Sequence, residues 1–246
     1  MKVVILAGGT GTRLQPYTTV FPKPMMPLGQ RPILDIVVQQ LVHYGFWDIV
    51  LSVGYLSELI QAYFETAKNR FYDVDFTYIR EDKPMGTAGP LGRVPDIDRT
   101  FMVMNGDVLT TLNYQDIVDY HRRMGGILTI GMYRKTVKID LGVINAGSDG
   151  IITGYTEKPE KNYMVSMGVY VFEPDIHRYI EPDTHLDFPD LVHRLISNGE
   201  IVSEDPGFGA SLKRSRGGLL KENTNRPINV GVGGALSVVE VVKCLL

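Results

Sequence analysis

A glycine-rich loop followed by two cations has the clearest chemical potential in this sequence. An apolar run at residues 3–6 leads into a loop with three glycines and two threonines, and Arg13 and Lys23 follow. Because glycine lacks a side chain, backbone N–H groups of such a loop can approach a phosphate closely. Arg13 adds a bidentate fork and Lys23 a point charge, while Pro22 and Pro24 stiffen the chain beside Lys23. The loop therefore predicts a polyphosphate site.

Two common phosphate-binding motifs do not describe this loop. The dinucleotide-binding motif G-x-G-x-x-G, read from Gly9, would need a third glycine where Leu14 stands. The motif G-x-x-x-x-G-K-[ST] is absent as well. The glycines alone are also compatible with a tight turn between a strand and a helix that binds no ligand.

The longer string G-G-T-G-T-R-L-Q-P-Y-T-T-V-F-P-K-P-M-M-P at residues 8–27 is more specific. It resembles the signature G-G-x-G-T-R-L-x-P-x-T-x-x-x-P-K-P-M-x-P of the sugar-1-phosphate nucleotidylyltransferases, or NDP-sugar pyrophosphorylases. Within that family it looks like the mannose-1-phosphate guanylyltransferases and the glucose-1-phosphate nucleotidyltransferases. The resemblance implies catalytic roles for Arg13 and Lys23, Mg²⁺ as cofactor, and an NTP and a sugar 1-phosphate as substrates. The loop residues that it assigns to the nucleotide are Leu6, Ala7, Gly8, Gly9, Thr10, Gly11 and Thr12.

A second glycine-containing loop, at residues 85–91, matches the family's G-T-A-G segment, which lies against the base and ribose. Its predicted nucleotide contacts are Gly86 and Thr87, and a helix start is the alternative interpretation. Glu81 stands where members of the family use a polar residue to recognise the base. A carboxylate only accepts hydrogen bonds and therefore suits guanine, which presents two adjacent donors. This favours GTP, with a solvated surface charge as the alternative for Glu81.

Asp107 directly follows the apolar run at residues 101–104 and the pair Asn105-Gly106. Ligands of open parallel sheets sit beyond the carboxyl ends of strands, and a carboxylate there can hold Mg²⁺ together with substrate phosphates. An aspartate at an ordinary turn is the alternative. The resemblance supports the metal, because a Gly-Asp pair after the corresponding strand supplies a metal ligand in the family.

The sugar phosphate is assigned to a later part of the chain by resemblance. Glu157 and Lys158 match the family's E-K-P, in which Glu bonds the sugar hydroxyls and Lys holds the sugar phosphate, although a surface turn is the alternative. Gly142 matches a glycine whose backbone faces the sugar. Ser166 stands in S-M-G-V-Y where the family has N-A-G-I-Y, so the polar arm toward the sugar is shorter here. Mannose or glucose 1-phosphate is the predicted sugar substrate.

Strands and helices alternate through the first half of the sequence, which predicts a mainly parallel sheet with helices on both faces. This is an α/β fold of Rossmann-like type, as the resemblance also implies. The predicted helices cover residues 32–44, 114–124, a segment capped by Ser57, and a segment that follows Asp187. Short strands and turns from about residue 141 predict a small β-rich, sugar-binding lobe. We expect a nucleotidyltransferase domain at 1–204, with its nucleotide-binding part at about 1–135 and the sugar-phosphate lobe at about 136–204.

The resemblance ends near residue 204. The family has a W-x-D-x-G segment whose Asp completes the metal site, yet the only tryptophan here is Trp47. Residues 205–246 are an atypical C-terminal tail. One hypothesis is a reading-frame change or truncation that replaced the native end; the alternative is a divergent terminus, in which Asp205 is the nearest acidic candidate for a metal ligand. A non-catalytic nucleotide-sugar-binding or regulatory homologue therefore stays open as the alternative function.

The composition and charge of the sequence restrict the kinds of partner that this protein could bind. The net charge of −3 does not favour nucleic acid, and the single Cys244 excludes an intrachain disulfide. No apolar stretch approaches the roughly 20 residues that span a bilayer, and the N-terminal apolar run is too short for a signal peptide. These features predict a soluble cytoplasmic protein without membrane contact. Family members often form dimers or tetramers, so a homo-oligomer stays open.

Overall fold

The computed structural model describes residues 1–9, 11 and 17–205, together with the backbone of residues 236 and 237. The predicted ligands Thr10, Thr12 and Arg13, and most of the predicted tail, lie outside these residues. None of the helices in the described part of the chain is long and apolar enough to cross a membrane.

The regular elements alternate as predicted. The strands are β1 Lys2–Ala7, β2 Pro27–Leu28, β3 Arg31–Pro32, β4 Asp48–Val53, β5 Asp75–Arg80, β6 Phe101–Asn105, β7 Val108–Leu109, β8 Leu128–Lys138, β9 Val143–Ala146, β10 Ile152–Thr156, β11 Glu160–Phe172, β12 Val202–Asp205 and β13 Leu236–Ser237. The α-helices are α1 Ile33–His43, α2 Ser57–Thr66, α3 Tyr114–Met124 and α4 Phe188–Ser197. Short 3-10 turns occupy Tyr17–Thr19, Lys23–Met25, Lys68–Arg70, Gly89–Arg93 and Pro174–Tyr179.

Seven strands form the central sheet, in the order β12-β8-β11-β6-β1-β4-β5. The strands β6, β1, β4 and β5 run parallel to one another, β11 is antiparallel to its two neighbours, and β12 is parallel to β8. The carboxyl ends of β1, β4, β5 and β6 therefore meet at one edge. The predicted mainly parallel sheet is confirmed.

Alternating side chains of β1 divide the core into two layers. Val3 and Ile5 pack with residues of α1, α2 and α3 on one face of the sheet. Val4 packs with residues of α4 on the other face. Because both faces are covered by helices, the central strands are apolar on both sides, as in other parallel sheets. This confirms the prediction that helices cover both faces.

The strands β8 and β11 extend beyond the central sheet as a two-stranded ribbon. The pairing of β11 with β6 begins only at Val169, whereas its pairing with β8 continues from Ser166 back to Glu160. The strands β9 and β10 form an antiparallel hairpin between them. In its turn the Gly150 N–H donates to the Gly147 carbonyl oxygen at 3.0 Å. The second half of the chain is thus β-rich as expected, and its sugar binding stays a prediction.

The start of α2 differs from the prediction. Leu56 occupies the position before the helix, with a left-handed φ of 56°, and no side chain caps this helix end. Ser57 lies inside the helix, and its buried hydroxyl has no hydrogen-bond partner among the described residues. The predicted capping role of Ser57 is therefore wrong, because the chain enters the helix one residue earlier through an unusual backbone conformation.

Candidate active site

A cleft of about 790 Å³ opens at the carboxyl edge of β1, β4, β5 and β6. Loops that follow these strands line it, which agrees with the rule that parallel sheets bind ligands beyond their carboxyl ends. The predicted site residues that line it are Leu6, Ala7, Gly8, Gly9, Gly11, Lys23, Glu81, Gly86, Thr87 and Asp107. Two loops and two carboxylates that are far apart in the sequence thus meet at one place.

The first glycine loop is held down by close backbone contacts. A Cβ atom at Gly54 would lie 2.7 Å from the Gly8 carbonyl oxygen, so the loop after β4 packs directly on the loop after β1. Gly11 has a φ of 63°, which favours glycine, and its carbonyl oxygen accepts a hydrogen bond from the Thr18 hydroxyl at 2.9 Å. Both contacts hold the backbone of the loop at the floor of the cleft.

Lys23 and Asp107 form an ion pair in this cleft. Lys23 begins a 3-10 turn, and Asp107 lies two residues after β6. The turn that carries Asp107 is tied to the end of β1, because the Gly106 N–H donates to the Leu6 carbonyl oxygen at 2.9 Å. The predicted cation and the predicted metal ligand are therefore direct neighbours, beside the glycine loop.

Glu81 follows β5 and turns its carboxylate into the cleft. The Ser52 hydroxyl donates to Glu81 Oε1 at 2.8 Å, and the Glu81 N–H donates to the Val53 carbonyl oxygen at 2.8 Å. A Cβ atom at Gly8 would lie 2.9 Å from Glu81 Cδ, so the carboxylate rests on the bare backbone of the first loop. Burial raises the pKa of Glu81, against hydrogen bonds from Ser52 and the Met85 backbone that lower it. Glu81 is thus a fixed part of the cleft wall.

The second glycine loop is attached to α4. Gly86 has a φ of 76°, and a Cβ atom there would lie 2.5 Å from the Leu186 carbonyl oxygen. The Thr87 hydroxyl accepts from the Phe188 N–H at 2.8 Å and therefore caps α4. The Thr87 N–H donates to Asp187 Oδ1 at 3.0 Å, so the Asp187 side chain supports the loop and leaves the helix cap to Thr87.

The predicted sugar-phosphate residues lie outside this cleft, on the β-rich half. Gly142, Tyr155 and Glu157 cluster there. A Cβ atom at Gly142 would lie 2.8 Å from Tyr155 Cε2, and the Tyr155 hydroxyl donates to Glu157 Oε2 at 2.8 Å. The next residue, Lys158, is exposed and has a left-handed φ of 43°.

Ser166 approaches the cleft along β11. Its hydroxyl donates to the Tyr170 hydroxyl at 3.1 Å and accepts from the Gly168 N–H at 3.3 Å. Gly168 has a φ of 77°, and a Cβ atom there would lie 2.6 Å from Asn105 Nδ2. Asn105 lines the cleft and precedes Asp107 by two residues. The strand β11 therefore connects the β-rich half to the cleft through the close approach of Gly168 to the Asn105 side chain.

Asp205 is separated from Asp107. It lies on β12, and the strands β8 and β11 stand between β12 and β6 in the sheet. Three strand spacings amount to about 14 Å, which is too far for two aspartates to share one Mg²⁺ ion. Asp205 is also buried. The hypothesis that it completes the metal site with Asp107 is not compatible with this arrangement. Among the described residues, no group of three His, Cys, Asp or Glu side chains could hold a metal ion.

A sequence model of the nucleotidyl transferase family matches residues 2–206. The chain belongs to the nucleotidyl transferase family. This confirms the family predicted from the glycine-loop signature, and the match extends over the central sheet, both glycine loops and the β-rich half.

Curated members of the family resemble this chain at about one third identity. A UTP–glucose-1-phosphate uridylyltransferase from Synechocystis sp. is 34% identical over 221 residues, which cover 81% of this chain and 56% of the relative. A mannose-1-phosphate guanyltransferase from Saccharomyces cerevisiae is 34% identical over 191 residues, covering 74% of this chain and 52% of the relative. The chain thus spans about half the length of these curated relatives.

A solved structure supports the fold of this nucleotidyl transferase family member. HddC from Yersinia pseudotuberculosis, complexed with GMP-PN, superimposes with a TM-score of 0.62 at 23% sequence identity. The match covers 83% of this chain and 89% of HddC. The arrangement of strands and helices described above is therefore the fold of known proteins.

Several residues of the cleft and of the wall behind it were not predicted for this nucleotidyl transferase family member. Gly54 and Asn105 each stand at the end of an apolar run, and their position at the carboxyl edge of a strand was the available signal. Ser52 interrupts the apolar strand β4, which marks it as a buried polar residue in need of a partner. His185 enters the cleft from the loop before α4, and no local pattern in the sequence points to that position.

Proposed function

We propose that this chain transfers a nucleotidyl group from an NTP to a sugar 1-phosphate. A phosphate oxygen of the sugar 1-phosphate attacks the α-phosphorus of the NTP, the bond to the β-phosphate bridging oxygen breaks, and pyrophosphate leaves as the NDP-sugar forms. The observation that carries the proposal is the convergence of the glycine loop, the Lys23–Asp107 pair and Glu81 in one cleft. Such a transfer depends on positioning and on charge stabilisation more than on covalent help.

The triphosphate would lie along the first glycine loop. Backbone N–H groups of Gly8, Gly9 and Gly11 supply donors, and the absence of side chains lets phosphate oxygens come close. Lys23 would contact the α-phosphate, where its charge opposes the negative charge that develops during transfer. Arg13, whose role rests on the sequence motif, would hold the leaving pyrophosphate.

Asp107 has the properties of a magnesium ligand. Its carboxylate lies at the carboxyl edge of β6 and lines the cleft beside the phosphate-binding loop. Mg²⁺ in nucleotide sites takes one or two carboxylates and completes its shell with phosphate oxygens and water, so one protein carboxylate fits this ion. When bound, Mg²⁺ neutralises phosphate charge and orients the phosphates. Asp107 would hold it, and Lys23 would then exchange its carboxylate partner for a phosphate.

The sugar 1-phosphate would bind toward the β-rich half. In this proposal Lys158 holds the attacking phosphate, Glu157 accepts hydrogen bonds from sugar hydroxyls, and the backbone of Gly142 faces the sugar. The hydrogen bond from Tyr155 supports an ordered Glu157. Ser166 would contribute a short polar arm. We also propose that the nucleotide-binding part covers about 1–135 and the sugar-phosphate lobe about 136–204.

We favour GTP and mannose 1-phosphate within this proposal. The relatives include a uridylyltransferase for glucose 1-phosphate and a guanyltransferase for mannose 1-phosphate, so similarity alone does not choose between them. Glu81 supports guanine, because its carboxylate presents an acceptor in the cleft and the guanine edge presents two adjacent donors.

Pyrophosphate release with Mg²⁺ tests the proposal, with GTP, UTP, dTTP, CTP and ATP each combined with mannose and glucose 1-phosphate. We expect release in the GTP and mannose 1-phosphate reaction. Release with a different pairing would support the transfer and reassign the substrates. Binding of nucleotide and sugar phosphate without release would instead indicate a nucleotide-sugar-binding homologue, the function favoured by the missing W-x-D-x-G segment.

A further inference from the structure

Ser52 is a buried hydroxyl at the end of β4. The side chain has no exposed surface, and the other residues at the end of this strand are apolar. Burying a hydroxyl costs free energy unless it finds a hydrogen-bond partner. Ser52 donates to Glu81 Oε1 at 2.8 Å, and a carboxylate can only accept, so the direction of this bond is fixed.

Contacts with several neighbours hold Glu81 in position. Its N–H is bonded to Val53, the residue after Ser52, which fixes the backbone beside β4. Its carboxyl group rests on Gly8, where any side chain would displace it. Of the two carboxylate oxygens, Oε1 lies against Ser52 and Gly8, while a Cβ atom at Gly8 would be 3.4 Å from Oε2. The hydroxyl therefore holds one carboxylate oxygen against the wall and fixes the orientation of the group.

We infer that Ser52 is a positioning residue that aims the Glu81 carboxylate at the nucleotide base and thereby sets a preference for guanine. The inference rests on the proposed nucleotide site. Guanine offers N1–H and N2–H to an aimed carboxylate, whereas uracil offers a single N–H between two carbonyl oxygens that a carboxylate repels. A fixed pair of hydrogen bonds discriminates well between bases, because the wrong base leaves buried polar groups unpaired.

Removal of the Ser52 hydroxyl should weaken nucleotide binding and leave the rate of the chemical step nearly unchanged. In Ser52→Ala, Glu81 keeps its charge and its backbone bond and loses only the donor that aims it. We expect the Kd for GTP to rise about tenfold and the Kd for UTP by less than about twofold. The kcat at saturating GTP should stay within about twofold of wild type, because a contact shared by ground state and transition state affects KM alone.

The experiment is calorimetric titration of wild type, Ser52→Ala, Ser52→Thr and Ser57→Ala with GTP and with UTP, each in the presence of Mg²⁺. Ser52→Thr keeps the hydroxyl and adds a methyl group, so its melting temperature should fall while its GTP preference survives. Ser57→Ala is the matched control, because it also removes a buried serine hydroxyl, one that neither lines the cleft nor bonds to Glu81. It should leave the ratio of the two Kd values unchanged.

Several results would overturn the inference while leaving nucleotidyl transfer intact. One is a wild-type protein that binds UTP as tightly as GTP. Another is a Ser52→Ala protein that retains the wild-type ratio of Kd values. A wild-type protein that binds neither nucleotide would overturn both the inference and the proposed function. A preference that is lost in Ser52→Ala and in Ser52→Thr alike would assign the effect to packing at this position and also overturn the role of the hydroxyl.

Discussion

Lys23 and Asp107 neutralise each other at the carboxyl edge of the sheet, although 83 residues of sequence lie between them. Their side chains are 21% and 14% exposed, so solvent screens the pair only in part. In the absence of substrate, a cation suited to phosphate and a carboxylate suited to a metal ion are each other's partners. We therefore expect a metal–nucleotide complex to compete with this ion pair for both side chains.

Replacement of Lys23 should slow the transfer. We expect Lys23→Ala to lower turnover by roughly 10²-fold, the loss that follows removal of one preorganised group from a developing charge. Pyrophosphate release at saturating substrates measures it. Lys68→Ala removes a cation from an exposed 3-10 turn and should keep wild-type turnover. Turnover of the Lys23→Ala protein near the wild-type rate would contradict the assignment of this residue.

The ion pair also predicts competition between Lys23 and a metal ion. Binding of Mn²⁺, followed by electron paramagnetic resonance without nucleotide, should tighten about tenfold in Lys23→Met, because the carboxylate is freed from its cation. Lys83→Met removes a lysine that lines the same cleft without contacting Asp107 and controls for the general change of charge. Asp107→Asn should weaken Mn²⁺ binding. Equal Mn²⁺ affinity in wild type and Lys23→Met would show that Lys23 does not compete for the carboxylate.

Local sequence patterns were sufficient to predict most elements of the first half of the chain. The predicted limits of α3 agree with the structure, and the apolar strand before the glycine loop is β1. In these elements, the buried apolar residues recur at the spacing of a helix or a strand. A short stretch of sequence is therefore enough to predict them. Both glycine loops lie at the cleft because they follow strand ends, which the alternating pattern also implies.

Contacts between distant segments could not be predicted in the same way. The strand β8 continues to Lys138, because Glu160–Phe172 supplies a partner for its polar end. The cap of α4 comes from Thr87, about one hundred residues earlier. Ser52 and Glu81 meet only when β4 and β5 pair. Each of these features depends on tertiary pairing, which local periodicity does not encode.

The close packing of two loops predicts that alanine substitutions at two glycines of the cleft will change stability by different amounts. Gly54→Ala places a methyl group against the Gly8 carbonyl oxygen, whereas a Cβ atom at Gly9 meets nothing within 4 Å. Overpacking of this kind costs about 1–3 kcal/mol, which corresponds to a fall in Tm of roughly 2–10 °C for a domain of this size. Gly9→Ala should keep the wild-type Tm. Scanning calorimetry of the ligand-free variants measures both, and equal Tm values would argue against the close loop contact.

The buried carboxylate of Glu81 predicts a pH-dependent cost to stability. Burial raises its pKa above the ordinary value of 4.5, so the folded protein binds a proton more readily than the unfolded chain. The contribution of protonated Glu81 to the free energy of unfolding is therefore complete below that ordinary value. It is lost as pH rises through the higher folded-state pKa. Glu81→Gln is neutral at every pH and escapes this loss. The variant should match wild type at low pH and become the more stable protein as pH rises toward 8.

Urea unfolding of wild type and Glu81→Gln across this pH range measures the effect. Glu58→Gln provides a control of opposite sign, because hydrogen bonds from its own backbone and the ion pair with Arg80 lower the pKa of Glu58. Its stabilisation is present above the ordinary value of 4.5 and lost as pH falls, so Glu58→Gln should be the less stable protein at neutral pH. If Glu81→Gln were instead less stable than wild type at pH 8, the hydrogen bonds to Glu81 would outweigh its burial. If Glu81→Gln became more stable but bound GTP more weakly, Glu81 would be identified as a residue kept for recognition of the base.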